Sequence, residues 1–165
     1  RSGRVTGVQT CALPILMFRG SSFHKIEPKG RIIIPARFRD VIKKGGGEEG
    51  VMVSRMDKCL VAYTFEEWSK IETRVLSLAT KSESMRRFRR VFIGGAFECL
   101  CDKQERILIP PTLRQYAEFE KEIVMVGVLD HFEIWSRENW DKENLRMEED
   151  MKNEGVRNEV AELGL

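Results

Sequence analysis

The chain has 165 residues, of which 42% are apolar and 33% are charged, and its formal net charge is +2. This length suits one ordinary domain or two small half-domains, and the composition is that of a chain that folds around a core. It excludes a wholly disordered protein, and no apolar run approaches the roughly 20 residues that a membrane-spanning helix needs.

Residues 1–16 do not follow the patterns of the rest of the chain. They show no sustained hydrophobic period, and their apolar part, Cys11 to Met17, is too short and poorly flanked for a signal peptide. The letters VTGVQTCALPI resemble the translation of a common sequencing adapter. We therefore expect a non-native leader over residues 1–16 and a true start at Met17. Because Arg1 and Arg4 are the only charges in this leader, the remainder holds 26 basic and 26 acidic residues.

Charge is unevenly distributed along this remainder. Residues 17–44 hold eight Lys or Arg against two acids, and residues 141–165 hold eight acids against four bases. A basic front with an acidic tail is compatible with local contact to nucleic acid, although charged runs are more often only solvated faces. For the acidic tail over 141–165 the sequence allows a terminal helix that packs on the domain or a partly disordered segment.

Residues 17–80 predict a first half-domain rich in β-structure. A short strand over 22–26 meets a tight turn, and a buried strand, RIIIP, follows over 31–35. A proline then opens a short helix, PARFRDVIKK, where its missing N–H removes no hydrogen bond. Two further strands, GVMVSR and CLVAYT, lead to Thr64, a typical N-cap for the helix that begins at Phe65.

Residues 81–95 predict a linker helix, SESMRRFRRVFIGG, with one of its two first serines as N-cap and a glycine pair at its end. Four arginines surround Phe88 and cover most of the helix circumference: Arg86, Arg87, Arg89 and Arg90. We expect them to pair with acids such as Glu66, Glu67 or those of the tail; the alternative is that some of them face a partner.

Residues 96–140 repeat the pattern of the first half-domain. At an offset of 75 residues five side chains recur: Arg31, Ile32, Ile34, Pro35 and Arg39 return as Arg106, Ile107, Ile109, Pro110 and Arg114. Further on the offset is 72, and we assign the slip to the glycine-rich loop over 43–50. Because two halves of about 70 residues are each marginal alone, we predict a mainly β, α+β fold in which both halves form one pseudo-twofold barrel.

The second half contains the same elements as the first. Strands are predicted at 97–101, RILIP, EIVMVGV and HFEIWS, with a short helix at PPTLRQYAEF. Ser136 is the predicted N-cap of a last helix, RENWDKENLRMEEDM.

The turn before each buried strand places an acid four residues ahead of an arginine. The first turn runs from Glu27 to Arg31 and the second from Asp102 to Arg106. Across a tight turn a carboxylate can hold the guanidinium fork in a fixed position. One interpretation is a structural salt bridge of little value if exposed; the other is a presented arginine that contacts phosphate or a guanine edge. The duplication favours function, because a twofold basic feature matches duplex DNA.

Catalysis and metal binding find little support in the sequence. Cys59, Cys99 and Cys101 lack the spacing of a zinc site, and we expect them to be reduced. The only histidines, His24 and His131, belong to no nucleophile or phosphate-loop pattern. We therefore predict no enzyme, no metal and no cofactor.

Four aromatic residues occupy matched places in the two halves. Tyr63 corresponds to Trp135, and Trp68 to Trp140. They invite an interpretation as base-stacking residues, but their helical or strand setting favours core packing.

The longest matched phrases carry a family resemblance. MFRG, RIIIPARFR, DKQERILIPPTLRQYA and VMVGVLDHFEIWSRENW resemble the MraZ family, bacterial regulators encoded at the head of the division and cell-wall gene cluster. The resemblance runs from Met17 to at least Trp140. It implies two tandem AbrB/SpoVT-like half-domains that form a swapped-hairpin barrel.

The same resemblance implies a function. Members of this family are DNA-binding transcriptional regulators that assemble into ring-like homo-oligomers and bind short direct repeats upstream of their own operon. It further implies a cytoplasmic, nucleoid-associated protein with neither a membrane partner nor a small-molecule substrate. It also suggests that Phe18 packs between subunits. An antitoxin-like protein-interaction module of the same barrel class is the alternative function.

The family motif Asp-x-x-x-Arg falls once on each turn. The first turn departs from it by using Glu27 for the aspartate, and the second by Glu105 where a glycine is usual. If that position needs positive φ, Glu105 is strained, and its charge stands beside Arg106. We therefore expect Arg31 to contribute more than Arg106. The predicted DNA-binding residues are Arg31, Lys29, Glu27, Arg106, Lys103, Asp102 and Arg19.

Overall fold

A computed structural model of the chain describes residues 17–44, 48–78 and 82–165. The predicted leader over 1–16 and the central glycines, 45–47, of the predicted insertion loop lie outside the described residues. The strands are β1 Ser21–Lys25, β2 Arg31–Ile33, β3 Gly50–Met56, β4 Cys59–Tyr63, β5 Phe97–Leu100, β6 Arg106–Leu108, β7 Glu122–Gly127 and β8 Phe132–Ser136. The helices are α1 Ala36–Lys44, α2 Phe65–Ser77, α3 Glu83–Phe88, α4 Pro111–Tyr116, α5 Arg137–Asp150 and α6 Glu154–Ala161, and α3 continues as a π-helical turn over Arg89–Ile93.

The strands form two antiparallel sheets, and their order follows the internal repeat. Six strands are ordered β1-β7-β8-β4-β3-β5, and β2 pairs separately with β6. When each strand is replaced by its counterpart in the other half, the order of the large sheet is unchanged apart from direction. A pseudo-twofold axis therefore passes between β8 and β4.

The two halves exchange their first strands. β1 pairs with β7 of the second half, with Phe23 opposite Val124, and β5 pairs with β3 of the first half, with Cys99 opposite Val51. Neither half completes its own sheet, which explains why two marginal halves are stable together. The predicted α+β class and the tandem half-domains are confirmed; closure into a swapped-hairpin barrel stays a prediction.

The main core lies between the halves. Ile32 and Ile107 face each other across the axis and are fully buried. Phe18, Phe38 and Phe132 form a triangle with ring centroids 4.8–5.3 Å apart. Phe18 is only 1% exposed within a single chain, so the expectation that it packs between subunits is wrong.

A second core cluster contains the four matched aromatics. Trp68 and Trp135 are buried, and Tyr63 and Trp140 pack against them at the edge of the cluster. The indole N–H of Trp68 donates to Glu72 at 3.0 Å, as tyrosine and tryptophan usually find a partner when buried. The prediction of core packing is confirmed.

Side-chain caps begin the main helices, as predicted. Thr64 Oγ1 accepts from the backbone N–H of Glu67 at 3.2 Å, and Ser136 Oγ from that of Asn139 at 3.0 Å. Ser82 is the serine that caps α3. The acidic tail is helical, in two segments, α5 and α6. Among the residues that the structure describes, no helix is long and apolar enough to cross a membrane.

One ion pair of the linker helix differs from the predicted pairing. Arg87 pairs with Glu83 of the same helix at 3.5 Å, both side chains being well exposed. The predicted pairing with Glu66 or Glu67 is therefore wrong for Arg87. Phe88 stacks on Phe92 at 5.0 Å between ring centroids, which joins the helix to the second cluster.

Candidate nucleic-acid interface

The small sheet of β2 and β6, called the ribbon below, carries both motif arginines. The register sets Arg31 opposite Leu108 and Ile33 opposite Arg106. Side chains alternate between the two faces of a strand. Because Ile32 and Ile107 point into the core, the other face of the ribbon presents two arginines and two aliphatic residues.

The two turns that lead into the ribbon have the same backbone structure. In the first, Gly30 N–H donates to Glu27 O at 2.8 Å and Glu27 N–H to Arg31 O at 3.0 Å. In the second, Glu105 N–H donates to Asp102 O at 3.0 Å and Asp102 N–H to Arg106 O at 2.8 Å.

Both turns need a left-handed residue at their fourth position. Gly30 has φ of 93° and Glu105 has φ of 63°. A residue with a Cβ is strained there by roughly 1–2 kcal/mol, a strain that glycine avoids. The strain predicted for Glu105 is confirmed.

Each turn is fixed by the opposite half. Ile109 N–H donates to Gly30 O, and Ile34 N–H donates to Glu105 O, both at 2.9 Å. The turns therefore extend the ribbon pairing at both ends, and their positions depend on the association of the halves.

Arg106 donates to a protein acceptor from each of its three guanidinium nitrogens. Its Nε lies 2.9 Å from Asp102 Oδ2, its Nη1 lies 3.2 Å from both carboxylate oxygens of Glu27, and its Nη2 donates to Gln104. Asp102 Oδ1 accepts from the backbone N–H groups of Arg106 and Gln104. The hydrogen bond to Asp102 and that to Glu27 outweigh desolvation and raise the pKa of Arg106. The backbone N–H of Arg106 is the main group that lowers the pKa of Asp102.

The predicted contact between Glu27 and Arg31 is wrong. Glu27 reaches across the ribbon to Arg106 instead. Its side chain is one methylene longer than that of Asp102, its counterpart in the second turn. Arg31 is half-buried, and within the described residues its guanidinium has no hydrogen-bond or ion-pair partner. One arginine therefore faces two carboxylates, and the other faces none.

Glu105 and Gly30 occupy equivalent places, each beside an arginine of the other half. Glu105 pairs with Arg39 at 3.6 Å, so its charge is shared with that cation rather than left uncompensated beside Arg106. At Gly30 the equivalent arginine, Arg114, lies so close that an added Cβ would sit 2.8 Å from its Cζ. Arg39 and Arg114 also donate to the carbonyls of Ile34 and Ile109 respectively, at the ends of the ribbon strands.

The remaining predicted residues lie in two places. Lys29 and Lys103 are exposed at the two turns. Arg19 lies elsewhere, because its carbonyl accepts from Arg37 Nε at 2.9 Å and its side chain lines a cleft beside α1. The structure thus brings Glu27, Asp102 and Arg106 together and leaves Arg19 apart from them.

Sequence reasoning missed the contacts that cross the axis. Gln104, Arg39 and Arg114 were not assigned roles, although the recurrence of the last two at the 75-residue offset was a signal. The partner of Glu27 could be found only from the strand register.

His131 is half-buried and Cys99 is buried. His131 stacks on Tyr63 and lies 2.8 Å from Asp130 and 3.6 Å from Glu133. Desolvation raises the pKa of the buried thiol of Cys99 to about 12, and the three cysteines outside the leader are free. Within the described residues, no cluster of three or more His, Cys, Asp or Glu is placed to hold a metal ion.

A family model for MraZ proteins matches the chain twice, over residues 17–91 and 92–158. The description of this model also calls the family antitoxin-like. The chain belongs to the MraZ family. The two matched segments correspond to the two halves of the pseudo-twofold fold, so the family model matches each half separately.

Individual relatives agree with this assignment. A protein named transcriptional regulator MraZ from Desulforapulum autotrophicum is 66% identical over 149 residues, which is 90% of this chain and 100% of the relative. One of the same name from Desulfosudis oleivorans is 54% identical over the same shares of both chains. Another, from Desulforamulus reducens, is 45% identical over 80% of this chain and 90% of its own length. The MraZ family is thus one of transcriptional regulators, which is not an enzyme class.

Proposed function

We propose that this chain is a sequence-specific, double-stranded DNA-binding transcriptional regulator. It acts on short direct repeats upstream of the bacterial division and cell-wall gene cluster, including its own gene. Family membership supports the regulatory role. The observation that carries the DNA contact is the face of the ribbon, where Arg31 is presented without a carboxylate partner in the described part of the chain.

The ribbon has the shape and chemistry for the major groove. That groove admits a two-stranded β-ribbon, and an arginine fork pairs with the O6 and N7 of guanine. Lys29 and Lys103 flank the ribbon at the two turns and supply point charges for phosphates on either side. Binding should therefore weaken steeply as salt is raised, because phosphate contacts release counterions.

The two arginines make unequal contributions in this proposal. All three guanidinium nitrogens of Arg106 already donate to protein acceptors. A guanidinium has five N–H groups, so Arg106 keeps few of them for DNA, and the two carboxylates repel phosphate. Arg31 has no such competition, so it supplies the larger share of affinity, while Glu27 and Asp102 restrain Arg106.

Assembly multiplies these contacts. In a ring-like homo-oligomer, several ribbons engage successive direct repeats, and the linkage raises the effective concentration of each further ribbon. The proposed location is the cytoplasm, in association with the nucleoid.

A second candidate is an antitoxin-like protein-interaction module, which the description of the family model favours. That function needs no preference for any DNA sequence. The two candidates therefore differ in a property that a binding titration measures.

The test compares two duplexes by fluorescence anisotropy at several salt concentrations. One contains the repeats upstream of the chain's own gene, and the other has the same composition in scrambled order. The proposal expects the repeat duplex to bind at least about a thousandfold more tightly, with affinity falling as salt rises. Equal affinity for the two duplexes contradicts it and favours the interaction module.

A further inference from the structure

The outward face of the ribbon exposes two large aliphatic side chains at equivalent positions of the repeat. Ile33 is 52% exposed and Leu108 is 51% exposed, whereas their neighbours Ile32 and Ile107 are fully buried. A solvent-facing position on an antiparallel strand ordinarily carries a polar side chain. The same exception in both halves indicates a surface that is covered when the protein functions.

The strand register sets each aliphatic residue beside an arginine of the other half. Ile33 lies directly opposite Arg106, and Leu108 lies directly opposite Arg31. Side chains directly opposite on one face of an antiparallel pair have Cβ atoms about 4.5–5.5 Å apart. The ribbon therefore carries two mixed pairs, each with one cation and one apolar group.

Charge selects the occupant of this face. A second copy of the chain packed on Ile33 and Leu108 would have to place a carboxylate on Arg31, which has no such partner in the described residues. A polyanion brings the counter-charge with it. The apolar group that duplex DNA offers in its major groove is the C5-methyl of thymine.

We propose that Ile33 and Leu108 are specificity-determining residues that contact thymine methyl groups next to the positions contacted by Arg106 and Arg31. This inference rests on the proposed function and adds thymine as a base that the ribbon recognises. Each recognition pair draws one residue from each half, so the ribbon register itself sets the spacing between the arginine contact and the methyl contact.

The test removes the methyl groups from the DNA. Thymines of the upstream repeat are replaced one at a time by deoxyuridine, and affinity for the full chain is measured by fluorescence anisotropy. Loss of one buried methyl group should weaken binding about fourfold. Replacement at the contacted thymines should have this effect on the wild type and no further effect on the matching variant, Ile33→Ala or Leu108→Ala.

A matched control separates this contact from general apolar effects. Leu145 on α5 is 70% exposed and lies away from the ribbon, so Leu145→Ala should keep the full sensitivity to deoxyuridine. Thermal unfolding of all three variants checks that each is folded.

Two results would overturn the inference alone: no thymine replacement alters specific affinity, or Ile33→Ala and Leu108→Ala both keep the wild-type sensitivity. Loss of self-association in these variants with unchanged deoxyuridine sensitivity would assign the face to a second copy instead. Failure of the proposed function is distinct, because the wild type would then not distinguish the unmodified repeat from scrambled DNA.

Discussion

The carboxylate of Glu27 lies 3.2 Å from Nη1 of Arg106, so the acid of the first turn pairs with the arginine of the second turn. Each turn was expected to hold its own arginine. This pairing across the ribbon leaves Arg31 without an acidic partner in the described residues and gives Arg106 two acidic partners. A chain with nearly twofold architecture thus places its two motif arginines in different surroundings on one face of the ribbon.

Glu27→Gln tests this pairing while preserving side-chain length. Removing one carboxylate from the ribbon face lessens repulsion of phosphate and frees Arg106 to bind, so affinity for the upstream repeats should rise several-fold. The midpoint of thermal unfolding should change little, because half-exposed ion pairs contribute little to stability. Fluorescence anisotropy measures the affinity.

The control for Glu27→Gln is Glu159→Gln on α6, which removes the same charge from a residue outside the ribbon. In the Glu27→Gln background, Arg106→Ala should weaken binding more than it does in the wild type. Weaker binding by Glu27→Gln itself would mean that Glu27 prepares Arg106 for DNA instead of restraining it.

Gly30→Ala should destabilise the fold by about 1–3 kcal/mol, because the residue combines positive φ with close contact. Its φ is 93°, and a Cβ would lie 2.8 Å from Arg114 Cζ and 3.0 Å from Ile109 O. The free energy of unfolding in urea measures the effect. Glu105→Ala is the matched control, since that position already holds a Cβ at positive φ and should lose much less.

Phe18→Ala should lower the free energy of unfolding by about 3–5 kcal/mol, as for other buried phenylalanines. Phe18 packs edge-on against Phe38 and also contacts Phe132. Phe23→Ala, at a side chain that is mostly exposed and lies under Arg137, should cost far less. If Phe18 instead packed between subunits, its replacement would change the oligomeric state and leave the stability of each chain nearly unaltered.

His131 should make stability depend on pH above neutrality. Burial alone lowers its pKa, but hydrogen bonds and charge from Glu133 and Asp130 outweigh burial, so the pKa in the folded state is raised above 6.5. The stabilisation is therefore fully present below pH 6.5 and is lost as pH rises through the raised folded value. Tyr63 stacks on the ring of His131, and burial is the main cause that raises the pKa of Tyr63 to about 12. Tyr63 therefore stays neutral through this range.

The measurement for His131 is urea unfolding of the wild type and His131→Gln from pH 5.5 to 8.5. The stability advantage of the wild type should shrink as pH rises. Burial raises the pKa of Glu133, but its hydrogen bonds to His131 and Trp135 outweigh burial and lower that pKa below 4.5. The contribution of Glu133 to stability is therefore present above pH 4.5 and is lost only at acid pH. A constant difference across the range would show that His131 contributes by packing alone.

Much of the fold was predictable from local patterns. The repeat at an offset of 75 residues predicted equivalent strands, and the caps at Thr64 and Ser136 predicted where helices begin. These features depend on residues close in sequence or on direct internal comparison, so no knowledge of the tertiary structure is needed.

The contacts that distinguish the two arginines were not predictable in this way. Glu27 and Arg106 are 79 residues apart, and they meet only because β2 pairs with β6 in one particular register. The pairing of Glu105 with Arg39 crosses between the halves as well. A pattern within one turn contains the acid and the arginine but not the partner that the opposite half supplies.

Arg31 should carry more of the DNA affinity than Arg106. The direct measurement is the affinity of Arg31→Ala and Arg106→Ala for the upstream repeats, with Arg146→Ala, an exposed arginine on α5, as the control. Arg31→Ala should weaken specific binding by about tenfold or more, Arg106→Ala by clearly less, and Arg146→Ala hardly at all. An equal loss for the first two variants, or a larger loss for Arg106→Ala, would show that Arg31 is not the main DNA-binding arginine.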